Sequence, residues 1–168
     1  AEVEVTDITA DQKDLIKDQL LKAVEKSDLS IVLSGSSAGR EDYTISILKE
    51  IGEIVFHGVN IMPGKPVIVA EAANKAVIGL PGYPISAWLV NQLFIKKLVY
   101  SMQAAKAPEF NHIQAEVKRK VPSDIGLEEF LRVNLKPQAQ EAGDSKGPEA
   151  EGSALMTAVP LPRGSSAM

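Results

Sequence analysis

Residues 28–43, DLSIVLSGSSAGREDY, decide the fold. The apolar residues Leu29, Ile31, Val32 and Leu33 run into the small residues Ser34, Gly35, Ser36, Ser37, Ala38 and Gly39, then into Arg40, Glu41 and Asp42. Such a run reads as a strand, a glycine-serine turn and the start of a helix, which is the strand-to-helix joint of an α/β protein.

Working outward, Glu2–Ile8 (EVEVTDI) alternates polar and apolar residues as a half-buried strand would. Thr9 to Ser27 carries Leu15, Ile16, Leu20, Leu21 and Val24 at helical spacing, and Thr9 with Gln12 three positions on reads as a capping box. Past the opening stretch, a short helix from about Asp42 to Ile51 is closed by Gly52, and EIVFHGV (53–59) is a strand. Pro63 to Pro66 reads as a tight turn, Val67 to Ala70 as a strand, Asn74-Lys75 as a turn and Ala76 to Leu80 as a further strand. A long helix from Pro84 to Met102 presents Ile85, Trp88, Leu89, Leu93, Phe94, Leu98 and Val99, with Pro84 suited to a first helical position. Strands alternating with helices predict an α/β three-layer sandwich with a mostly parallel sheet, whose ligand crevice lies beyond the carboxyl ends of the strands.

After Ala107-Pro108 the helical period does not return. IQAEVKRKV (113–121), EFLRVNL (129–135) and LMTAVPL (155–161) are rich in β-formers. The expected organisation is therefore an α/β domain over 1–107 and a partial all-β barrel domain over 108–168. Between the last strands, 137–152 is acidic and without apolar anchors, and reads as a mobile excursion. With too few strands to close a barrel and a first strand that has no preceding helix, the chain reads as a fragment of a longer one.

Composition narrows the function. Of 168 residues, 45% are hydrophobic and the net charge is −4, so the chain can bury a core. No apolar run of membrane-spanning length and no secretory leader pattern occur, which makes the expected address cytoplasmic. With no cysteine, disulfides, thiolate metal sites and a Cys nucleophile are all excluded. Lys and Arg are interspersed with Glu and Asp, which argues against a nucleic-acid partner. An anionic ligand must then be held by a local site.

Three clusters can supply one. The Gly35–Gly39 turn offers main-chain N–H groups and, from Ser36 and Ser37, hydroxyl donors at the head of a helix, a setting that suits phosphate and also suits an ordinary structural turn. Asp42 beside an anion loop repels the ligand unless a cation lies between, which suggests a metal; as an N-cap residue it would need none. In Met62-Pro63-Gly64-Lys65-Pro66 the prolines stiffen a turn from which Lys65 projects as a point charge. In LPGYPISA (80–87), Pro81 and Gly82 form a second strand-to-helix turn, with Ser86 in the first helical turn. His57 and His112 stand at no metal-ligand spacing and read as structural residues.

SGSSAGREDYT, MPGKP and GLPGYPISA, in that order, followed by GLEEFLRV and PLPRGS, resemble the MoeA and gephyrin E-domain family of molybdopterin molybdenumtransferases: the molybdopterin-binding domain and then the opening strands of its C-terminal β-barrel. The resemblance implies insertion of molybdate into the dithiolene of adenylylated molybdopterin, with release of AMP and with Mg²⁺ assisting. It implies that Gly35, Ser36, Ser37 and Gly39 cradle the phosphate-bearing end of the pterin, that Asp42 is the essential acidic residue beside the metal and molybdate, and that Lys65, Pro81, Gly82 and Ser86 line the rest of the pocket. It also implies a homodimer. Met62 stands where many members carry Lys or Arg, Gly58 where some carry Lys, and Tyr83 where Asn is common, so fewer positive charges face the oxyanion. Two other functions remain open beside the insertase: a non-catalytic molybdopterin-binding or dimerisation module of the same fold, and a molybdopterin adenylyltransferase.

Overall fold

The computed structural model describes residues 1–34, 40–137 and 156–162. Helix α1 (Lys13–Lys26) leads into β1 (Leu29–Ser34), α2 (Arg40–Ile51) and β2 (Glu53–His57). β3 (Ile61–Met62), β4 (Ile68–Ala72) and β5 (Lys75–Pro81) follow. A long helical stretch then runs as α3 (Pro84–Val90), a π-helical turn (Asn91–Ile95) and α4 (Lys96–Met102). The second half contributes β6 (Ala115–Val117), β7 (Glu128–Glu129), β8 (Val133–Pro137) and β9 (Met156–Pro160).

The main sheet has the order β1-β5-β4-β2. It separates two cores, because alternate residues of each strand point to opposite faces. On one face Leu20 and Val24 of α1 and Ile47 and Leu48 of α2 pack on Ile68, Ala70, Ala72 and Val77. On the other, Val90, Ile95, Phe94 and Leu98 pack on Val67, Ile78 and Leu80. The rings of Phe56 and Phe94 meet at 6.1 Å across that second interface. Helices on both faces make the α/β sandwich expected from the alternation of elements. The central strand β5, buried from Val77 onward, reads as a near-continuous apolar run for the same reason.

Within the sheet, parallel pairing is confined to β1 and β5; β5–β4 and β4–β2 are antiparallel. The cause is local. Ala73 and Asn74 adopt left-handed backbone (φ 52° and 58°), and a two-residue turn of this kind folds β4 directly back on β5. The sheet is thus mixed, with its parallel segment at β1 and β5.

Three expectations are corrected at the N-terminal side. Residues 2–8 form no strand: Val3 and Val5 are 80% and 86% exposed, and among the described residues the segment has no neighbour to complete a ladder. The first helix begins at Lys13, with Gln12 extended as its N-cap and no side-chain cap, so Thr9 and Gln12 form no capping box. Nothing between Thr9 and Gln12 is apolar enough to hold an extra turn against the sheet; Ile16 is the first helical residue packed on the core. Finally, α2 starts at Arg40, so Asp42 is its third residue and not its N-cap.

Gly52 follows α2 as expected, for a different reason from chain reversal. A Cβ at this position would lie 2.0 Å from the Glu71 carbonyl oxygen and 3.0 Å from Ala72 Cα. Glycine lets the end of the helix touch the backbone of β4.

In the second half, β6-β9-β8 form a three-stranded sheet, parallel between β6 and β9 and antiparallel between β8 and β9. β7 pairs in parallel with β3, Ile61 opposite Glu128 and Met62 opposite Glu129. Of the excursion read as mobile, 138–152 lies outside the described residues.

Candidate functional site

β1 and β5 end side by side. β1 and β5 are in register from Leu29 opposite Ala76 to Ser34 opposite Pro81. The turn after Ser34 and the turn after Pro81 therefore begin at one rim, at the carboxyl ends of two adjacent parallel strands. This is where an open α/β sheet offers a crevice.

β4 reaches the same rim from the other direction. It is antiparallel to β5, with Ile68 opposite Gly79, so its first residue lies near the end of β5. The turn that carries Lys65 precedes it. Gly64 has φ +110°, and a Cβ there would meet Val90 Cγ2 at 3.0 Å and Ile61 Cδ1 at 3.2 Å. Only glycine suits that backbone and that closeness to α3. The turn is tied down by its main chain: the Val59 N–H donates to the Lys65 carbonyl at 2.9 Å, the Gly58 N–H to the Val67 carbonyl at 2.8 Å, and the Val67 N–H to the Gly64 carbonyl at 3.3 Å. Lys65 is exposed. Among the described residues no hydrogen-bond or ion-pair partner of its ammonium is seen.

The other candidates fall as follows. Pro81 is buried, Gly82 is exposed, and Tyr83 is the N-cap of α3 with Pro84 at the first helical positions, as the spelling predicts. Ser86 is buried at 4% exposure, within the first turn of α3. Gly35, Ser36, Ser37 and Gly39 lie outside the described residues, and so does the side chain of Asp42, whose backbone belongs to the first turn of α2. His57 ends β2, exposed, opposite Ile68. Among the described residues no three His, Asp or Glu side chains come together as a metal site. A concavity between residues 4–9 and Leu15 and Gln19 of α1 is lined by none of the candidates.

One pairing beside the lysine turn was invisible in the sequence. The Glu128 N–H donates to the Asn60 carbonyl and the Phe130 N–H to the Met62 carbonyl, each at 2.8 Å, so a strand of the second half borders the lysine turn. A main-chain pairing between segments so far apart in the chain leaves no local spelling to read.

The α/β fold is shared with a family of molybdopterin-related domains. The family model described as "Probable molybdopterin binding domain" matches residues 1–100, and the chain belongs to that family. A Methanocaldococcus jannaschii protein named for molybdopterin biosynthesis is 30% identical over 131 residues, 78% of this chain and 31% of that one. The molybdopterin molybdenumtransferase of Haemophilus influenzae is 29% identical over 113 residues, 67% of this chain and 28% of that one. Among solved structures, a MoeA molybdopterin biosynthesis protein from Pyrococcus superposes with a TM-score of 0.63 at 31% identity, covering 95% of this chain and 34% of that one. The chain thus spans about a third of the length of these relatives. The resemblance drawn from the motifs and the α/β class both stand. Among the described residues no helix is long and apolar enough to cross a membrane.

Proposed function

We propose that the chain acts in molybdenum cofactor biosynthesis, holding adenylylated molybdopterin at the rim where β1 and β5 end while molybdate is inserted into the dithiolene and AMP is released. The observation that carries this reading is the parallel register that ends on Ser34 and Pro81, since it starts both glycine-bearing turns at one edge of the sheet. Main-chain N–H groups of Gly35, Ser36, Ser37 and Gly39 take the phosphate-bearing end of the pterin, and Gly82 allows the second turn to approach it. Lys65 adds a fixed positive charge, and Ser86 supports the second turn from within α3.

Asp42 is the acidic partner that makes a divalent ion necessary beside phosphate. Mg²⁺ commonly keeps one or two carboxylates together with phosphate oxygens and water, so Asp42 and the substrate's own oxygens suffice to hold it without an acidic cluster. Bound there, the ion would neutralise charge on the phosphates. A homodimer in the cytoplasm completes the reading.

The test is to supply adenylylated molybdopterin, molybdate and Mg²⁺ and to follow AMP. Release by the protein and its loss in Asp42→Ala support the insertase. Tight pterin binding with no release would instead favour a binding module, and ATP-dependent adenylylation of free molybdopterin an adenylyltransferase.

A further inference from the structure

The lysine turn is held from a second side by a segment that no motif connects with it. Residues 58–62 are bonded through their main chain to two partners, starting from Gly58 at φ +82° and ending in β3 at Ile61–Met62. Toward the turn, the Gly58 and Val59 N–H groups donate to the carbonyls of Val67 and Lys65. Away from it, the carbonyls of Asn60 and Met62 accept from the N–H groups of Glu128 and Phe130. The pairing is parallel and in register, Ile61 opposite Glu128 and Met62 opposite Glu129. Residues 58–62 thus lie between the lysine turn, bonded to 58 and 59, and residues 128–130, bonded to 60 and 62.

We propose that residues 128–130 are the positioning element for Lys65: by bonding the outer edge of 58–62 they fix the inner edge from which the lysine turn hangs. The inference rests on the reading of Lys65 as an anion-binding charge. A lysine on a four-carbon stem binds an anion well only if its backbone origin is held, because each freedom left to the turn is lost on binding. The turn's own bonds fix it to Val59; the bonds from 128 and 130 fix residues 60–62, the segment that continues directly from Val59. The second half of the chain is then a working part of the anion site, without touching the ligand.

Glu128 gives a clean test, because its side chain is exposed and the role belongs to its N–H. Glu128→Pro deletes that donor, while Glu128→Ala keeps it. With inorganic pyrophosphate as the probe, Glu128→Pro weakens binding about tenfold and Glu128→Ala leaves it near wild type, the size of loss that a small misplacement of a charged group produces. In a double-mutant cycle, Glu128→Pro adds nothing to Lys65→Ala. Equal binding by the Pro and Ala variants, or an undiminished Glu128→Pro effect in the Lys65→Ala background, overturns the proposal.

If Lys65→Ala binds pyrophosphate as wild type does, the anion reading fails by itself. Amide exchange at Val59 and Val67 then decides the clamp: faster exchange in Glu128→Pro than in Glu128→Ala supports it, and equal rates refute it. Should Glu128→Pro not fold, native-state exchange of the unaltered protein gives the answer. The amides of Glu128, Phe130, Val59 and Val67 opening as one unit support the coupling, and Val59 and Val67 staying closed after 128 and 130 have exchanged contradicts it.

Discussion

Ser34 and Pro81 are register partners on the last rung of the parallel β1–β5 ladder. That pairing sets the carboxyl ends of β1 and β5, nearly fifty residues apart in the chain, beside one another. The hairpin through Ala73 and Asn74 adds the lysine turn by bringing β4 back along β5.

Lys65→Ala should weaken pyrophosphate binding about tenfold, the loss expected when a charge-assisted hydrogen bond to an anion is removed. Titration calorimetry measures it. The thermal midpoint should stay near wild type, since Lys65 is exposed and, among the described residues, has no protein partner.

Gly52→Ala should destabilise the fold by about 1–3 kcal/mol, as overpacking does. The added carbon would sit 2.0 Å from the Glu71 carbonyl oxygen, and that obstacle is backbone already committed to the sheet. Urea unfolding reads the change. At Gly79 the obstacle is the side chain of Ile68 at 3.2 Å, so Gly79→Ala should cost less and be partly relieved by Ile68→Val.

Lys75, at the start of β5, donates from Nζ to the carbonyls of Val24 and Glu25 at 2.8 and 2.9 Å, satisfying the last turn of α1 from outside the helix. Lys75→Met should lower stability by about 1 kcal/mol. Amide exchange near residues 24–27 should quicken more than in α2.

Glu50 ties α1 to α2 by accepting from Lys13 and Lys17, and these bonds, Lys13 first, hold its carboxyl down at about 2 from an ordinary 4.5. Because the folded value lies below the unfolded one, the stabilisation is complete above about pH 4.5 and is lost as pH falls toward 2. Lys17 works the other way: the same carboxylate raises its value above 10.5, so its share is present below that pH and lost as pH rises beyond it. Glu50→Gln should flatten the fall of the thermal midpoint between about pH 4.5 and 2. The difference should shrink in about 1 M salt, because the pair is at the surface.

How much of this was legible depends on the range of each interaction. β1, α2 and the long helix from Pro84 were readable because their patterns are local: a closed apolar run, a 3.6-residue stripe, a proline at the first helical position. The Gly64 turn was readable from its prolines. Its dependence on Val90 and Ile61 was not, since that is a tertiary contact. Residues 2–8 show the converse failure: alternation signals a strand, but a strand exists only where a neighbour accepts its hydrogen bonds. The antiparallel return of β4 hinges on Ala73 and Asn74 adopting left-handed backbone, which Asn favours and Ala does not. The π-helical turn at Asn91–Ile95 and the pairing of Glu128–Glu129 with Ile61–Met62 leave no signal in any window of sequence.

In the proposed function, one ligand meets both turns and the lysine together. Titrating ¹⁵N-labelled protein with adenylylated molybdopterin and following amide shifts tests it most directly. Shifts that saturate at one concentration for Gly82 and Tyr83, for Lys65, and for Gly35 to Gly39 are the predicted result. Shifts confined to one of the three segments, or centred on the β6-β9-β8 sheet, would contradict it.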